Sequence, residues 1–163
     1  MEDDTRQQSG SIRIRPAKKT EWNEAMQLAF RTFLKFESEQ YGPEGTKNFK
    51  EFVTDRFLYN MFLRGEYKLF VAEEKENLVG LISLRNGNHI SLLFVEERYH
   101  RKGIGTALIR YLQEYMLQNT AFERLTVNAA PYGIPFYHKI GFQDTGDTTT
   151  KDGITYIPME FYL

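Results

Sequence analysis

The sequence predicts a mixed α/β domain in which helices cover both faces of a mostly antiparallel sheet. Apolar residues recur at helical spacing in some segments and alternate with polar residues in others, as in amphipathic helices and half-buried strands. Short turn sequences such as "NGN" join consecutive strand-like segments, which favours antiparallel hairpins. The segment from His89 to Ala129 has the order strand, helix, strand, and such a unit makes its two strands parallel. We therefore expect one central parallel pair within the sheet.

The first half of the chain is predicted to begin with one strand and to continue with helices. Residues 11–15, "SIRIR", alternate apolar and polar side chains as a strand does, and Pro16 ends the run. Residues 20–40 place apolar side chains at helical spacing, and "YGP" is predicted to stop that helix. Residues 43–65 favour one or two further helices that end at a glycine.

The second half alternates strands with helices. Predicted strands at residues 67–74, 77–86 and 89–95 follow one another through the hairpin turns "KEN" and "NGN". The remaining predicted elements are a helix at 103–120, a strand at 124–129, a short helix at 131–141 and a closing hairpin of residues 141–150 and 153–163.

The composition argues against several classes of partner. With 163 residues, 41% of them hydrophobic, and a formal net charge of −1, the chain resembles an ordinary globular domain without a basic, nucleic-acid-binding field. No apolar run is long enough to span a membrane, and residues 1–10 are polar and acidic rather than signal-like. We expect a disordered tail at 1–10, a single domain at 11–163, and neither a nucleic-acid nor a membrane partner.

The chain contains no cysteine. Disulfides, thiolate metal sites and a cysteine nucleophile are therefore excluded, and a cytoplasmic location fits this composition. The histidines His89, His100 and His138 do not have the spacing of metal ligands. We accordingly expect no catalytic metal.

The stretch "HRKGIGTAL", residues 100–108, indicates an anion site. Glycines between a strand and a helix let the backbone approach a phosphate, and the free amides at the helix start point at it. The sequence lacks the G-x-x-x-x-G-K-[ST] of a P-loop. It also lacks the third glycine of the dinucleotide motif, because Leu108 stands at that position, and three sequential strands precede the loop.

"HRKGIG" resembles the pyrophosphate loop, Q/R-x-x-G-x-G/A, of the GNAT superfamily of N-acetyltransferases. It departs from that pattern at His100, where the family has Gln or Arg, and at Arg101, where many members have Gly. Downstream, "NAAPYGIPFYHKIGF" (128–142) resembles the closing motif of the same family. The resemblance covers residues 11–163 and implies the acyl-CoA N-acyltransferase fold, with acetyl-CoA as the cosubstrate.

The resemblance also implies which residues bind acetyl-CoA. In the family the pantetheine arm enters between two splayed strands and bonds to their backbone like an added strand, while loop amides hold the pyrophosphate. Asn128 resembles the strand-end Asn that touches the arm, although capping the helix after Pro131 is an alternative role. The binding residues implied are Leu93, Phe94, Val95, His100, Arg101, Lys102, Gly103, Ile104, Gly105, Thr106, Asn128 and Tyr137.

The implied chemistry is direct attack of an amine on acetyl-CoA, since no cysteine is present to carry the acetyl group. Tyr137 matches the family Tyr that faces the CoA sulfur, and a phenol can protonate the departing thiolate. His89 matches the position at which some members carry a catalytic Glu, and a neutral imidazole can accept the amine proton. A base that acts through ordered water, with no single essential residue, is an open alternative.

The acceptor is expected to be a primary amine on a small molecule or a peptide. Glu37 and Glu39 could attract such a cation, but as helix-end charges they are expected to be solvated. Five aromatics at helical spacing could line a pocket but are expected to be mostly core, namely Phe33, Phe36, Tyr41, Phe49 and Phe52. An exposed sheet edge leaves a homodimer possible.

Two other functions are compatible with parts of the sequence. A non-catalytic acyl-CoA-binding sensor could use the same fold, and the altered residue His100 is the one feature that favours it. A dinucleotide-dependent oxidoreductase would use the glycine loop differently. The tyrosine at 137 argues against the sensor, and the missing third glycine argues against the oxidoreductase.

Overall fold

The computed structural model describes residues 11–163, so the tail predicted at residues 1–10 lies outside the described residues. The helices are α1 (Trp22–Phe36), α2 (Ser38–Val53), α3 (Arg56–Leu63), α4 (Ile104–Asn119) and α5 (Ile134–Lys139). The strands are β1 (Ile12–Pro16), β2 (Lys68–Glu74), β3 (Asn77–Arg85), β4 (His89–Val95), β5 (Arg124–Ala129), β6 (Gln143–Asp144), β7 (Thr149–Lys151) and β8 (Ile154–Tyr162).

Within residues 11–163 the strands form one eight-stranded sheet. Seven of them are arranged in the order β1-β2-β3-β4-β5-β8-β6, and the eighth, β7, pairs with β8. Every pairing is antiparallel except that between β4 and β5. The predicted fold class is therefore confirmed: the sheet is mixed and mostly antiparallel, with a central parallel pair joined through a helix.

Helices cover the two faces of the sheet because alternate residues of each strand point in opposite directions. In β2, Leu69 and Val71 pack with α1 on one face. Phe70 and Ala72 pack with α4 on the other. No helix within residues 11–163 is both long and apolar enough to cross a membrane. The sheet is thus the middle layer of three.

The hairpin turns predicted from "KEN" and "NGN" are present. Each places two consecutive residues at positive φ, Lys75 and Glu76 in the first turn and Asn86 and Gly87 in the second. This conformation matches the twist of the flanking strands. The turn between β7 and β8, at Asp152 and Gly153, has the same form.

The predicted end of the first helix is wrong. The helix α1 stops at Phe36, and Glu37 has non-helical angles, with φ −124° and ψ −22°. The "YGP" sequence lies inside α2, where Gly42 (φ 69°) breaks the helical path and Pro43 restarts it. Proline suits the first turn of a helix, since it lacks the amide that would have no partner there. The sequence signal for a break was correct, but the chain leaves the first helix several residues earlier.

The closing segment contains three strands rather than the two predicted, because residues 145–148 separate β6 from β7. The β7–β8 turn packs against α2. A Cβ added at Gly45 would lie 2.9 Å from the Gly153 oxygen, so both backbones need a glycine to approach this closely. The Asn48 side-chain amide also donates to the Asp152 carbonyl oxygen at 2.8 Å. The junction of helix and hairpin covers one side of the cavity described next.

Candidate active site

The parallel strands β4 and β5 separate almost as soon as they meet. They pair only at His89 with Thr126 and at Ile90 with Val127. Residues 92–95 remain paired with β3 but have no partner in β5. The sheet is therefore open along the second half of β4, where an extended ligand can reach unpaired backbone groups.

A cavity of about 1480 Å³ occupies this opening. Its walls come from β4, β5, the loop before α4, the α1–α2 junction, α5 and the β7–β8 turn. A single small-ligand site typically has roughly 300–1,000 Å³. The cavity can therefore hold a large ligand together with a second, smaller one.

The loop of residues 100–103 leads into α4 at one side of the cavity. Gly103 is the N-cap with φ 79°, a left-handed conformation that favours glycine. The backbone hydrogen bonds of α4 begin with the Ala107 amide, which donates to the Gly103 carbonyl oxygen at 2.9 Å. The preceding amides of Ile104, Gly105 and Thr106 are the free donors of a helix start, and these residues line the cavity. They form a cradle for an anionic group.

The His100 side chain connects this loop to β4 through a hydrogen bond. Its Nε2 atom donates to the Val95 carbonyl oxygen at 2.6 Å, and its ring lies 4.8 Å from that of Phe36. The histidine that departs from the family pattern thus joins the loop, β4 and the end of α1. Its Nε2–H is used within the protein rather than being directed at a phosphate.

The two basic residues that follow His100 differ in position. Arg101 has φ 63° and lines the cavity. Lys102 is exposed and does not line the cavity; its Nζ atom lies 5.3 Å from the centroid of the Tyr99 ring. The structure therefore brings Arg101, but not Lys102, to the predicted phosphate site.

The other predicted binding residues lie on β4 and β5, on either side of the opening. Leu93, Phe94 and Val95 border the cavity along β4, and Asn128 borders it from β5. The Asn128 side chain makes no hydrogen bond among residues 11–163, and α5 begins with Gly133 as a cap without a side-chain bond. The alternative role of Asn128 as a helix cap is therefore not observed.

Tyr137 of α5 reaches the cavity from a buried position, with 6% of its surface exposed. Its ring packs edge-on against Phe136 and Phe142. Burial raises the pKa of the Tyr137 phenol, and the neighbouring Glu37 and Tyr41 raise it further. The phenol is therefore a proton donor that stays protonated in the free protein.

His89 also lines the cavity, at the point where β4 and β5 still pair. Its Nδ1 atom lies 2.7 Å from the Thr126 hydroxyl oxygen. Burial, together with the charge of Arg85, lowers the pKa of His89 to about 4. The imidazole is therefore neutral well below pH 7, and its titration does not fall between pH 6 and 8.

The residues from 37 to 163 match the family model described as an acetyltransferase (GNAT) domain. This match covers most of the chain. The chain belongs to the GNAT acetyltransferase family. The fold and the paired motifs of residues 100–108 and 128–142 agree with this membership.

Several similar proteins are named N-acetyltransferases. The uncharacterized N-acetyltransferase YafP of Escherichia coli is 26% identical over 133 residues, which are 82% of each chain. The PaiA N-acetyltransferase of Thermoplasma acidophilum, solved with coenzyme A, has a TM-score of 0.79 at 19% identity and covers 93% of this chain and 99% of its own. The spermidine N-acetyltransferase of Vibrio cholerae, solved with CoA and spermine, has a TM-score of 0.67 at 16% identity, over 94% and 96%.

The site of this GNAT protein contains a glutamate that the sequence predicted to be solvated. Glu37 was expected to be solvated, yet it is half-buried and lines the cavity, whereas Glu39 is exposed. The aromatics expected to be mostly core do belong to or pack against the core, since Phe33 is fully buried and Tyr41, Phe49 and Phe52 pack against its cluster. These four and Phe36 also line the cavity. The sequence offered no local signal for Glu37, because Glu39 lies between the same two aromatics, Phe36 and Tyr41.

Metal ligands do not converge in the GNAT site. Among residues 11–163, no three His, Cys, Asp or Glu side chains are grouped so that they could hold a metal ion. His138 is exposed, and its Nε2 atom lies 2.6 Å from the Asp144 Oδ1 atom.

Proposed function

We propose that this protein is an acetyl-CoA-dependent N-acetyltransferase that moves the acetyl group directly to a primary amine within a ternary complex. The observation that carries the proposal is the opening between β4 and β5, because one cavity there joins the amide-rich start of α4 to the hydroxyl-bearing Tyr137. The cavity volume is sufficient for both substrates together. The absence of cysteine from the chain supports direct transfer over an acetyl-cysteine route.

In this proposal the loop before α4 and the open strand hold acetyl-CoA. The amides of Ile104, Gly105 and Thr106 bind the pyrophosphate, with Arg101 offsetting its charge. Backbone groups of residues 93–95 bind the pantetheine arm, and Asn128 contacts the arm from β5. The free amides at the helix start and the unpaired half of β4 support these assignments. Lys102 has no such support, since it lies outside the cavity.

Tyr137 and His89 carry the proton transfers in the proposed reaction. Tyr137 donates its phenolic proton to the sulfur as the carbon–sulfur bond breaks, and its raised pKa keeps the phenol protonated at neutral pH before that step. His89 accepts a proton from the attacking nitrogen through Nε2, provided that its Nδ1–H is directed to Thr126. Both residues line the same cavity as the open strand.

The experiment that tests this function measures CoA release with a thiol reagent while acetyl-CoA and a panel of primary amines are supplied. The panel should contain aliphatic diamines, aralkyl amines, amino acids and short peptides. We expect acetyl-CoA to raise the melting temperature and at least one amine to give steady CoA release. Binding of acetyl-CoA without turnover across the whole panel would instead indicate a non-catalytic sensor.

A further inference from the structure

Glu37 is a carboxylate of the cavity that the reaction described above does not use. It follows the last residue of α1, and its non-helical backbone turns the chain towards α2. It is half-buried and lines the cavity, while Glu39, two residues further along, is exposed. The two glutamates therefore differ in environment although they are neighbours in sequence.

The surroundings of Glu37 within the cavity are largely apolar. The rings of Phe33 and Phe49 stack at 4.1 Å, and Phe36 lies 5.5 Å from Tyr132. Aromatic faces attract cations, and a carboxylate among them binds an ammonium group more strongly than it would in water. This arrangement fits an acceptor that brings a cationic amine on an apolar or aromatic framework.

Two phenols share the environment of Glu37. Tyr41, from α2, lies beside the carboxylate, and its hydroxyl partly offsets the effect of burial on the pKa of Glu37. The charge of Glu37 in turn raises the pKa of Tyr41 and of Tyr137 from α5. Glu37 is thus electrostatically coupled to the phenol that faces the proposed site of bond cleavage.

Among residues 11–163, no basic side chain forms an ion pair with Glu37. Burial dominates and raises its pKa to about 7, with Tyr41 alone opposing it. The basic residues at the end of α1 are engaged elsewhere, since Arg31 and Lys35 pair with glutamates that follow β4. From neighbouring elements, the charged or titratable groups that line the same cavity include Glu44 of α2, His100 and Arg101 of the loop, Lys139 of α5, and Lys151 and Asp152 at the β7–β8 turn. A carboxylate with this pKa and no partner can bind an ammonium group and exchange protons with it near neutral pH.

We propose that Glu37 binds the ammonium group of the acceptor and takes its first proton. This inference rests on the proposed N-acetyltransferase function and names its acceptor as a cationic primary amine on an apolar framework. Glu37 is then a catalytic residue distinct from His89, because the two receive different protons.

The protons and bonds of this scheme balance. An ammonium group must lose two protons to become an amide nitrogen: Glu37 takes the first before attack, and His89 takes the second as the nitrogen–carbon bond forms. The carbon–sulfur bond breaks, and Tyr137 gives its proton to the sulfur. Tyr137 is then reprotonated, and Glu37 and His89 lose their protons, so that one proton in total reaches the solvent in each turnover.

The first test compares E37Q with the matched control E39Q across pH. For the wild type, kcat/KM should rise with pH and level off above about 7, where Glu37 is ionised and the ammonium form is still the substrate. The E37Q variant should lose roughly 10²-fold or more at pH 7. Its kcat/KM should keep rising about tenfold per pH unit beyond pH 8, since only free amine can then react. E39Q should follow the wild type.

A wild-type profile retained by E37Q would overturn the proposal. Loss in E37Q of the acetyl-CoA-dependent rise in melting temperature would also count against it, because the defect would then lie in folding or cosubstrate binding. The H89A variant distinguishes the two bases. It should reduce kcat, yet its kcat/KM should still level off near pH 7, because that levelling-off reflects the ionisation of Glu37.

A second test measures binding without turnover, so that it decides the role of Glu37 even if no amine is acetylated. Calorimetry on the CoA-loaded protein would use benzylamine as the cationic probe and benzyl alcohol as its neutral counterpart. We expect the wild type to prefer benzylamine and E37Q to bind it about tenfold more weakly, with benzyl alcohol unchanged. Equal affinities of wild type and E37Q for benzylamine would refute ammonium binding at Glu37, whereas absence of turnover alone would refute the proposed reaction.

Discussion

At the scale of single residues, Tyr137 shows how its surroundings decide the role of a side chain. The phenol is buried between Phe136 and Phe142, and burial is the largest cause of its raised pKa. A raised pKa means that the neutral form persists to a higher pH than in a free phenol. Tyr137 therefore carries its proton at neutral pH, so the proton is available for the departing thiolate, as a general acid requires.

The first prediction at this scale concerns Tyr137→Phe. The substitution keeps the ring and its packing, so we expect the dissociation constant of acetyl-CoA to stay within about twofold. Turnover should fall by roughly 10²-fold, the usual contribution of a general acid. Equilibrium binding and steady-state CoA release together test this, and an unchanged kcat would remove Tyr137 from the mechanism.

The sequence predicted Tyr137 but not Glu37, for a physical reason. Tyr137 lies in the motif "FYHKIGF", whose order along the chain is visible without a structure. The pKa of Glu37 depends on burial by elements far apart in sequence, since the cavity walls come from α2, α5 and the β7–β8 turn as well as from α1. A helix-end glutamate is solvated by default, and nothing local distinguishes Glu37 from Glu39.

At the scale of elements, the loop before α4 depends on its attachment to β4. The hydrogen bond from His100 to the Val95 carbonyl oxygen spans the loop just where the amides of α4 become available. The residue that departs from the family pattern thereby supplies a structural contact. The motif predicted that residues 100–106 form an anion site, but not that the histidine side chain would turn back to the strand.

The prediction at this scale is that His100→Ala weakens acetyl-CoA binding several-fold. A hydrogen bond of this kind contributes about 1 kcal/mol, which corresponds to roughly a fivefold change in affinity when it orders the binding loop. His138→Ala is the matched control, because His138 is exposed and lies outside the cavity. Calorimetric titration of both variants with acetyl-CoA measures the effect, and equal affinities would show that the loop is ordered without His100.

The order of the elements was more predictable than their ends. Hydrophobic period and turn residues identified the central strands and the helix of the parallel unit. The end of α1 was missed because "FESEQ" continues a favourable helical pattern, whereas in the structure the chain bends at Glu37 to place α2 against the β7–β8 turn. That contact joins residues about a hundred positions apart, and local propensity carries no information about it.

At the scale of the whole molecule, an ionic cluster connects the turn before α1 to the two strands at the edge of the sheet. The Arg15 guanidinium binds Glu21 at 2.8 and 2.9 Å and Glu73 at 2.9 and 3.2 Å, linking β1, the turn before α1, and β2. These side chains are only 14–18% exposed. Arg15 lowers the pKa of Glu21 to about 2 and also lowers that of Glu73.

This cluster predicts how stability depends on pH. Because the folded-state pKa of Glu21 lies below its ordinary value of 4.5, its contribution is fully present above about pH 4.5 and is lost as the pH falls towards 2. Arg15→Met should lower the free energy of unfolding by about 1–2 kcal/mol at pH 7. The difference from the wild type should shrink near pH 3.

Urea denaturation at pH 7 and pH 3 measures this effect. Arg64→Met is a suitable control, since Arg64 pairs with Glu66 on the surface and both side chains are more than half exposed. We expect that variant to differ little from the wild type at either pH. A pH-independent loss in Arg15→Met would indicate that Arg15 acts by packing of its stem rather than by its charge.

The two-residue pairing of β4 with β5 has a consequence for how the chain assembles. The strands β2, β3 and β4 are joined by turns of two and three residues, so their contacts close short loops at small entropic cost. Pairing β4 with β5 requires closure across the whole of α4 and gains only two residue pairs, so this step depends on packing of the apolar face of α4. We therefore expect the meander of residues 68–95 to fold first and the β5–β8 unit to dock onto it later. The opening between β4 and β5 is then among the last parts of the sheet to form.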